Sequence, residues 1–155
     1  MDSGSLRFRI ATSADVAGME LARAPDHEAG PADPRMTRYL AGEHHPQKAL
    51  PPRVAFAAME GDSIVGYVGG HETTRYDCEG ELQYLYVVPG HRRMGVASEL
   101  LRLLAGWFGG RGVSQVCVGV AEDNAGARSF LAHHGAQMLN GSFFRWSEIG
   151  EVLAD

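Results

Sequence analysis

The stretch ELQYLYVVPGHRRMGVA, residues 81–97, decides how this chain folds. Its first half is a run of β-branched and aromatic side chains, which predicts a strand. Pro89 and Gly90 end that strand, because proline cannot donate to a strand ladder and glycine accepts dihedral angles that other residues avoid. Beyond the turn, apolar residues recur at a helical spacing, namely Val96, Leu100, Leu103, Leu104 and Trp107. The stretch therefore predicts a strand, a tight turn and the start of a helix.

The turn between this strand and helix concentrates positive charge and glycine. Arg92, Arg93 and Gly95 stand just before the helix, whose first N–H groups have no intrahelical partner. Those N–H groups and the helix dipole favour an anion, and glycine lets a ligand approach the backbone closely. The sequence therefore predicts a phosphate or pyrophosphate site. It is neither a Walker loop nor a dinucleotide fingerprint, because no Gly-Lys-Ser/Thr and no GxGxxG is present.

The composition indicates an ordinary globular domain. Its 155 residues, 45% of them hydrophobic, fit one domain over residues 1–155 with a substantial core. The formal net charge of −5 argues against nonspecific binding to nucleic acid. No apolar run approaches the roughly 20 residues of a membrane span, and the amino terminus has no apolar signal core. We therefore expect neither a membrane nor a nucleic-acid partner.

Cysteine and histidine give no sign of a metal site. Cys78 and Cys117 have no metal-binding spacing, and reduced thiols favour a cytoplasmic location. His44-His45 and His133-His134 are adjacent pairs, which cannot easily chelate one ion on a strand or a helix. We therefore expect no metal ligands.

The remaining elements follow from the same periodicities. Strands are predicted over residues 6–11, 53–59, 63–73, 82–88, 113–120, 137–139 and 142–146. Helices are predicted to end near Arg23, to span residues 35–41, to run from Val96 to the glycines at 109–112, and to lie between Asn124 and Gly135. Residues 42–52, which include Pro51 and Pro52, are predicted to be irregular. The order β-α-α-β-β-β-α-β-α-β-β predicts an α/β fold with a mixed sheet and helices on both faces.

Three motifs in order carry a resemblance to a known family. They are the loop Arg92-Arg93-Met94-Gly95-Val96-Ala97 between its strand and helix, the strand 113–120, and Asn124-x-x-Ala127-x-x-Phe130 closing with His134-Gly135-Ala136. Together they resemble the GCN5-related N-acetyltransferase family. The loop pattern of that family is Gln/Arg-x-x-Gly-x-Gly/Ala, which Arg92, Gly95 and Ala97 match. The resemblance covers residues 53–146, and the first fifty or so residues match only in element order.

The resemblance implies an acyl-CoA N-acyltransferase fold of about six or seven strands and about four helices. It implies acetyl-CoA or a related acyl-CoA as donor substrate and an amine as acceptor. It places the pyrophosphate on the backbone of the loop residues Arg92, Arg93, Met94, Gly95, Val96 and Ala97. It places the pantetheine arm against the main chain of Leu85, Tyr86 and Val87, with Asn124 near the same arm.

The reaction implied by the resemblance is attack of a neutral amine on a thioester, which needs a base. Glu81 matches the position where the family often has a catalytic glutamate, and Gln83 occupies a position where some members have a carboxylate. Even spacing predicts that Glu81, Gln83 and Leu85 share one face of the strand. A main-chain N–H near Leu85 or Val87 could hold the oxyanion.

One position departs from the family. Leu131 stands where many members carry a tyrosine that protonates the departing thiolate. Tyr84, Tyr86 or water would then be the acid, although a thiol with a pKa of about 8.5 needs little help to leave. The same departure leaves a second interpretation open, a non-catalytic module that only binds acyl-CoA.

The acceptor is left open among polyamines, aminoglycoside-like molecules, amino-acid derivatives and protein amines. The acidic residues Glu72, Asp77, Glu79 and Glu81 cluster near one hairpin, and could form a rim that attracts a cationic amine. Exposed strand edges could also support a homodimer.

Overall fold

The computed structural model describes residues 6–24, 36–40, 46 and 48–154. Its strands are β1 Arg7–Ile10, β2 Ala49–Glu60, β3 Ser63–Thr73, β4 Gly80–Val87, β5 Val116–Gly119, β6 Gln137–Met138 and β7 Phe143–Trp146. Its α-helices are α1 Val16–Arg23, α2 Met36–Leu40, α3 Val96–Gly110 and α4 Ala125–His133. The strands form one seven-stranded sheet in the order β1-β2-β3-β4-β5-β7-β6. This arrangement confirms the predicted α/β class, with a mixed sheet flanked by helices.

Among the described strands, β4 and β5 form the one parallel pair of the sheet, and their pairing is short. The chain reaches β5 through α3, a crossover that parallel neighbours require. Pairing covers only Gly80 with Val116, Glu81 with Cys117 and Leu82 with Val118. Beyond Leu82, β4 continues for five more residues while remaining paired only with β3. The two strands therefore diverge, and a gap opens in the middle of the sheet.

A β-bulge shifts the side chains of β4 halfway along its length. Leu82 pairs with Gly70 and Tyr84 with Gly69, which leaves Gln83 as the extra residue. Glu81 contacts His71, and Tyr84 contacts the ring of Tyr39 on the α2 side of the sheet. Leu85, however, packs into the core beneath α3.

The prediction that Glu81, Gln83 and Leu85 share one face is therefore wrong. It assumed uninterrupted alternation along β4, and the bulge reverses that alternation between Glu81 and Leu85.

The main core lies between α3 and the sheet. Glycines on β3 let α3 approach closely, because a Cβ added at Gly70 would lie 3.0 Å from a Leu104 methyl carbon. The buried residues of α3 are Val96, Leu100, Leu101, Leu104, Ala105 and Phe108. The predicted stripe was thus partly wrong, since Leu103 and Trp107 are only half-buried. A final 3-10 helix, Ile149–Ala154, which was not predicted from the sequence, also packs on this core.

Other boundaries agree or differ for local reasons. β3 has the predicted bounds, Asn124 caps α4 by accepting the Ala127 N–H at 3.1 Å, and Gly135 has a φ of +93° as a left-handed cap. β2 begins earlier than predicted and includes Pro51 and Pro52, where its register with β3 shifts. β5 is shorter than predicted. The predicted loop at 25–34 and His44-His45 lie outside the described residues.

Candidate functional site

The turn before α3 presents backbone N–H groups without a side-chain cap. Gly95 is the N-cap residue of α3 with a φ of +83°, and no side chain caps this helix start. The first intrahelical bond runs from the Glu99 N–H to the Gly95 carbonyl, at 3.0 Å. The N–H groups ahead of it therefore point away from the helix, as an anion site at a helix start requires.

The two arginines of the turn differ in how they are held. Arg92 donates from Nε to the Val87 carbonyl at 2.9 Å, and its guanidinium lies 5.7 Å from the centre of the Tyr86 ring. Arg93 adopts a φ of +65°, which is uncommon for a residue other than glycine. Both side chains are exposed, as is that of Met94. The turn is thus a fixed backbone scaffold that carries two positive charges at its surface.

The gap between β4 and β5 is a cleft of about 270 Å³. Its lining residues come from α1, β3, β4, β5, the segment between β5 and α4, and α4 itself: they are Arg23, Tyr67, Leu82, Gln83, Tyr84, Leu85, Tyr86, Val118, Gly119, Val120, Ala121, Asn124, Ala127, Phe130 and Leu131. The structure thus brings together five residues of the predicted site, Gln83, Tyr84, Leu85, Tyr86 and Asn124. Val87 and the loop 92–97 do not line this cleft; β4 passes along it and then enters that loop.

The bulge residue supplies a polar atom to the cleft. Gln83 lines it, and its Oε1 atom is buried without a hydrogen-bond partner among the described residues. A buried acceptor of this kind is costly unless a ligand or water satisfies it. Tyr84 also lines the cleft, and its ring packs edge-on against the Tyr39 ring with 5.2 Å between the ring centres.

Glu81 lies outside the cleft, at the end of a buried polar chain. It is 5% exposed, and its Oε1 atom lies 3.2 Å from Arg75 Nε and 3.4 Å from His71 Nε2. His71 is fully buried, and its Nδ1 lies 2.8 Å from the Tyr39 hydroxyl. Burial raises the pKa of Tyr39, so its hydroxyl keeps its proton. The Nε2 atom of His71 faces Glu81 and has no hydrogen-bond partner among the described residues.

No sequence pattern indicated Tyr39, His71 and Arg75 as partners of Glu81. They stand on α2, on β3 and in the turn after β3, and no local pattern joins them. One weak signal was available, since His71 lies within a strand of small and apolar residues.

The expected acidic rim is largely engaged within the protein. Glu72 forms an ion pair with Arg111 at 2.6 Å, and Glu81 is buried as described. Glu79 accepts the N–H groups of Ser114 and Gln115 at 2.9 and 3.1 Å, and these bonds lower the pKa of Glu79. Three of the four carboxylates therefore have protein partners.

Three further features bear on the predictions made from the sequence. Within the described part of the chain, no group of three or more His, Cys, Asp or Glu side chains could hold a metal ion. Cys117 is fully buried, and burial raises its pKa, which suits a packed thiol. None of the described helices has the length and apolar character needed to cross a bilayer.

Comparison with known proteins points in one direction. The model of the acetyltransferase (GNAT) family matches residues 19–136, which is most of the chain. No curated protein matches the chain in sequence.

Solved structures of low sequence identity share the fold. A GNAT acetyltransferase from Staphylococcus aureus has a TM-score of 0.73 at 14% identity, covering 92% of this chain and 98% of its own. An acetyltransferase from Thermus thermophilus has a TM-score of 0.70 at 20% identity, covering 94% and 97%. The PaiA N-acetyltransferase from Thermoplasma acidophilum, in complex with coenzyme A, has a TM-score of 0.70 at 15% identity, covering 93% and 99%.

Proposed function

Because the chain belongs to the acetyltransferase (GNAT) family, we propose that it transfers the acetyl group of acetyl-CoA to a primary amine. The observation that carries this proposal is the divergence of β4 from β5 beyond Leu82. It opens a cleft of about 270 Å³ along β4, and the chain then leads through residues 88–95 to the uncapped start of α3. A thioester on a long, flexible arm with a diphosphate at its far end suits both features.

In this proposal the diphosphate binds the backbone N–H groups of residues 92–97, assisted by Arg92 and Arg93. The pantetheine arm pairs with the main chain of Leu85, Tyr86 and Val87, on the edge of β4 that β5 leaves open. Asn124 already accepts the Ala127 N–H through Oδ1, so its amide N–H groups can donate to a carbonyl of the arm.

The reaction proceeds by direct attack. The amine nitrogen forms a bond to the thioester carbonyl carbon, the C–S bond breaks, and coenzyme A leaves as its thiolate. A main-chain N–H near Leu85 or Val87 stabilises the oxyanion. The nitrogen loses one proton and the thiolate gains one, so the products are an N-acetyl amide and the coenzyme thiol.

Glu81 is proposed as the base, acting at a distance. Since Glu81 does not line the cleft, the amine proton reaches it through water or through the chain of Tyr39 and His71. Tyr84 contacts Tyr39 and lines the cleft, which places a hydroxyl-bearing side chain between the two regions.

The proton for the thiolate comes from Tyr84, Tyr86 or water. Leu131 lines the cleft and is 3% exposed, but its side chain has no proton to give. A thiolate leaves readily near neutral pH, because the pKa of a thiol is about 8.5.

The direct test is incubation with acetyl-CoA and a panel of primary amines, followed by mass spectrometry and a thiol-release assay. We expect an acetylated product and an equal amount of free thiol from at least one amine. If no amine is acetylated although calorimetry shows coenzyme binding, catalysis is refuted. Repeating the assay with longer acyl-CoA donors tests the acetyl group itself.

A second candidate function is a sensor or partner module that holds acyl-CoA without turnover. The apolar Leu131 at the cleft favours it, because that position offers no acid. Such a module would bind acetyl-CoA and never release thiol above the rate in buffer, whichever amine is added.

The cellular location and the oligomeric state of the protein remain predictions. A cytoplasmic location and a homodimer formed through the edge strands β1 or β6 are both proposals. Light scattering at several concentrations would test the second one.

A further inference from the structure

We infer that the Tyr67 hydroxyl binds the amine acceptor, and that this acceptor carries, besides its amine, a carbonyl or hydroxyl oxygen that accepts a hydrogen bond. The inference rests on the proposed function and deepens it, because it selects one class among the primary amines. It depends on two buried atoms in side chains that line the cleft, Tyr67 Oη and Gln83 Oε1, neither of which has a hydrogen-bond partner among the described residues.

Tyr67 has a buried hydroxyl that no described residue satisfies. It stands on β3, lines the cleft and is 2% exposed. Tyr39 is buried to the same degree, but its hydroxyl lies 2.8 Å from His71 Nδ1. An unpaired buried hydroxyl destabilises a fold, so its presence beside a cleft indicates a ligand that supplies the missing partner.

Burial makes the Tyr67 hydroxyl a donor. It raises the pKa of this hydroxyl, so the proton stays on the oxygen at neutral pH. Arg23 lies near enough for its positive charge to oppose that rise, but it forms no hydrogen bond with the hydroxyl. A carbonyl or hydroxyl oxygen of a ligand can accept the tyrosine proton, whereas an alkyl chain or an ammonium group cannot.

Tyr67 reaches the cleft from the face of the sheet that α1 covers. Tyr67 and Tyr86 pack with Met19 of α1, whereas Leu85, the neighbour of Tyr86 in sequence, packs beneath α3 on the other face. The proposed diphosphate site lies at the start of α3. A coenzyme held there approaches the cleft from the α3 side, which leaves the α1 side for the acceptor.

Gln83 supplies the complementary group for the amine. Its Oε1 atom can only accept, so it can take an N–H of the nitrogen that attacks the thioester. Every primary amine has such an N–H, so Gln83 does not discriminate among amines, whereas Tyr67 does. The cleft therefore suits an amino alcohol, an amino amide or the amino terminus of a peptide, all of which combine an amine with a neutral oxygen.

The test compares pairs of acceptors of similar shape. Ethanolamine is paired with propylamine and glycinamide with isobutylamine, so that methyl groups replace the polar atoms of the first molecule. The readout is the ratio of kcat/KM within each pair, measured in wild type and in Y67F, because differences in amine basicity cancel between the two proteins. We expect Y67F to lower this ratio about 5- to 50-fold in at least one pair, since a site built for a polar group rejects an analogue that lacks it.

Two further variants assign the effect to Tyr67. Y76F removes a hydroxyl from a half-exposed tyrosine that does not line the cleft, and should keep the wild-type ratio. Q83M should slow both members of each pair alike, because both present an N–H. A short peptide assayed beside glycinamide in wild type shows whether the source is a peptide terminus or a small molecule, and either source supports the inference.

Thermal melting tests the unpaired hydroxyl without any substrate. Y67F should melt at or above the temperature of wild type, because it removes a group that is buried without a partner. Y39F should melt lower, because it removes the hydroxyl that contacts His71. A loss in Y67F as large as that in Y39F would mean that the Tyr67 hydroxyl has a partner within the protein, and would overturn the inference.

A titration with coenzyme A separates the acceptor from the coenzyme. A Y67F protein that loses the ratio and binds coenzyme within about twofold of wild type supports the inference. Weaker coenzyme binding with the ratio intact would assign Tyr67 to the coenzyme and overturn it. An unchanged ratio in every pair, while acetylation proceeds, would overturn the inference alone. Acetylation of no amine in either protein would overturn the proposed function and the inference together.

Discussion

The two ends of β4 handle charge in opposite ways. At its carboxyl end, Arg92 and Arg93 expose their guanidinium groups on a turn of residues that are adjacent in sequence. At its amino end, Glu81 is 5% exposed and is held by Arg75 and His71. An exposed cation keeps its hydration and has little desolvation cost, whereas a buried carboxylate is tolerated only with partners that stay in place.

This difference separates the proposed roles. The exposed end can receive a charged ligand and release it, because its side chains and N–H groups face solvent. At the buried end, Tyr39, His71, Arg75 and Glu81 form a connected set of contacts, and we propose that this set holds the charge of Glu81 at a fixed position and passes a proton. We therefore expect variants at the carboxyl end to change coenzyme affinity, and variants at the amino end to change rate or stability.

The largest expected effect is on the rate, at Glu81. E81Q keeps the shape of the side chain and removes the charge that Arg75 and His71 surround. We expect kcat/KM at neutral pH to fall about 100- to 1,000-fold, a typical loss for a general base. Coenzyme affinity should stay unchanged in calorimetry, because the α3 turn lies at the other end of the strand.

The control is E72Q, since Glu72 pairs with Arg111 on a more exposed surface. It should leave the rate close to that of wild type. An E81Q protein that is folded and retains a third or more of the wild-type kcat/KM would exclude Glu81 as the base.

The next largest effect is on the free energy of unfolding. The test compares Gly80, at the amino end of β4, with Gly90, just beyond its carboxyl end. A Cβ at Gly80 would lie 2.5 Å from a ring carbon of Phe108, a fully buried side chain. We expect G80A to lower the free energy of unfolding by about 1–3 kcal/mol, as overpacking does. At Gly90 a Cβ would meet nothing within 4 Å, so G90A should change the free energy of unfolding by less than about 0.5 kcal/mol. Urea denaturation measures both, and equal values would contradict the packing of α3 on the paired end.

A charge reversal at the exposed end should weaken coenzyme binding. R92E replaces a cation beside the proposed diphosphate site and removes the Arg92 bond to the Val87 carbonyl. We expect a loss of about 1–3 kcal/mol in binding free energy by calorimetry, the scale of charge-assisted hydrogen bonds. R7E, on an edge strand outside the cleft, is the matched reversal and should bind nearly as wild type. Equal affinities for R92E and wild type would count against the diphosphate site.

The smallest effect concerns pH. Backbone N–H groups of Ser114 and Gln115 lower the pKa of Glu79 from its ordinary value of 4.5. The ionised form is thus favoured in the folded protein, so its contribution to stability is complete above that ordinary value and is lost as the pH falls through the lower folded pKa. E79Q should lose less stability than wild type on acidification from about pH 6 to about pH 3. Parallel melting curves for the two proteins would contradict this.

The contrast between the two ends also explains what the sequence could predict. The bounds of β3, the start of α3 at Val96 and the caps at Asn124 and Gly135 follow from local patterns, and the structure confirms them. The exposed turn could be predicted for the same reason, since all its residues are neighbours in sequence.

The buried end could not be predicted, because it depends on pairing between distant segments. The bulge at Gln83 is a property of how β4 aligns with the glycines of β3, and it moved Leu85 away from the face of Glu81. Likewise, the partners of Glu81 come from α2, β3 and the turn after β3. The early start of β2 through its two prolines is a further case of pairing overriding local preference.

A crystal structure of the protein with coenzyme A bound would test the proposed coenzyme site most directly. We predict that the diphosphate lies within hydrogen-bond distance, about 2.7–3.2 Å, of main-chain nitrogens in residues 92–97, and that the sulfur lies beside Gln83 or Tyr84 in the gap between β4 and β5. Coenzyme bound elsewhere, or a gap that stays filled by the protein while coenzyme is bound, would contradict it.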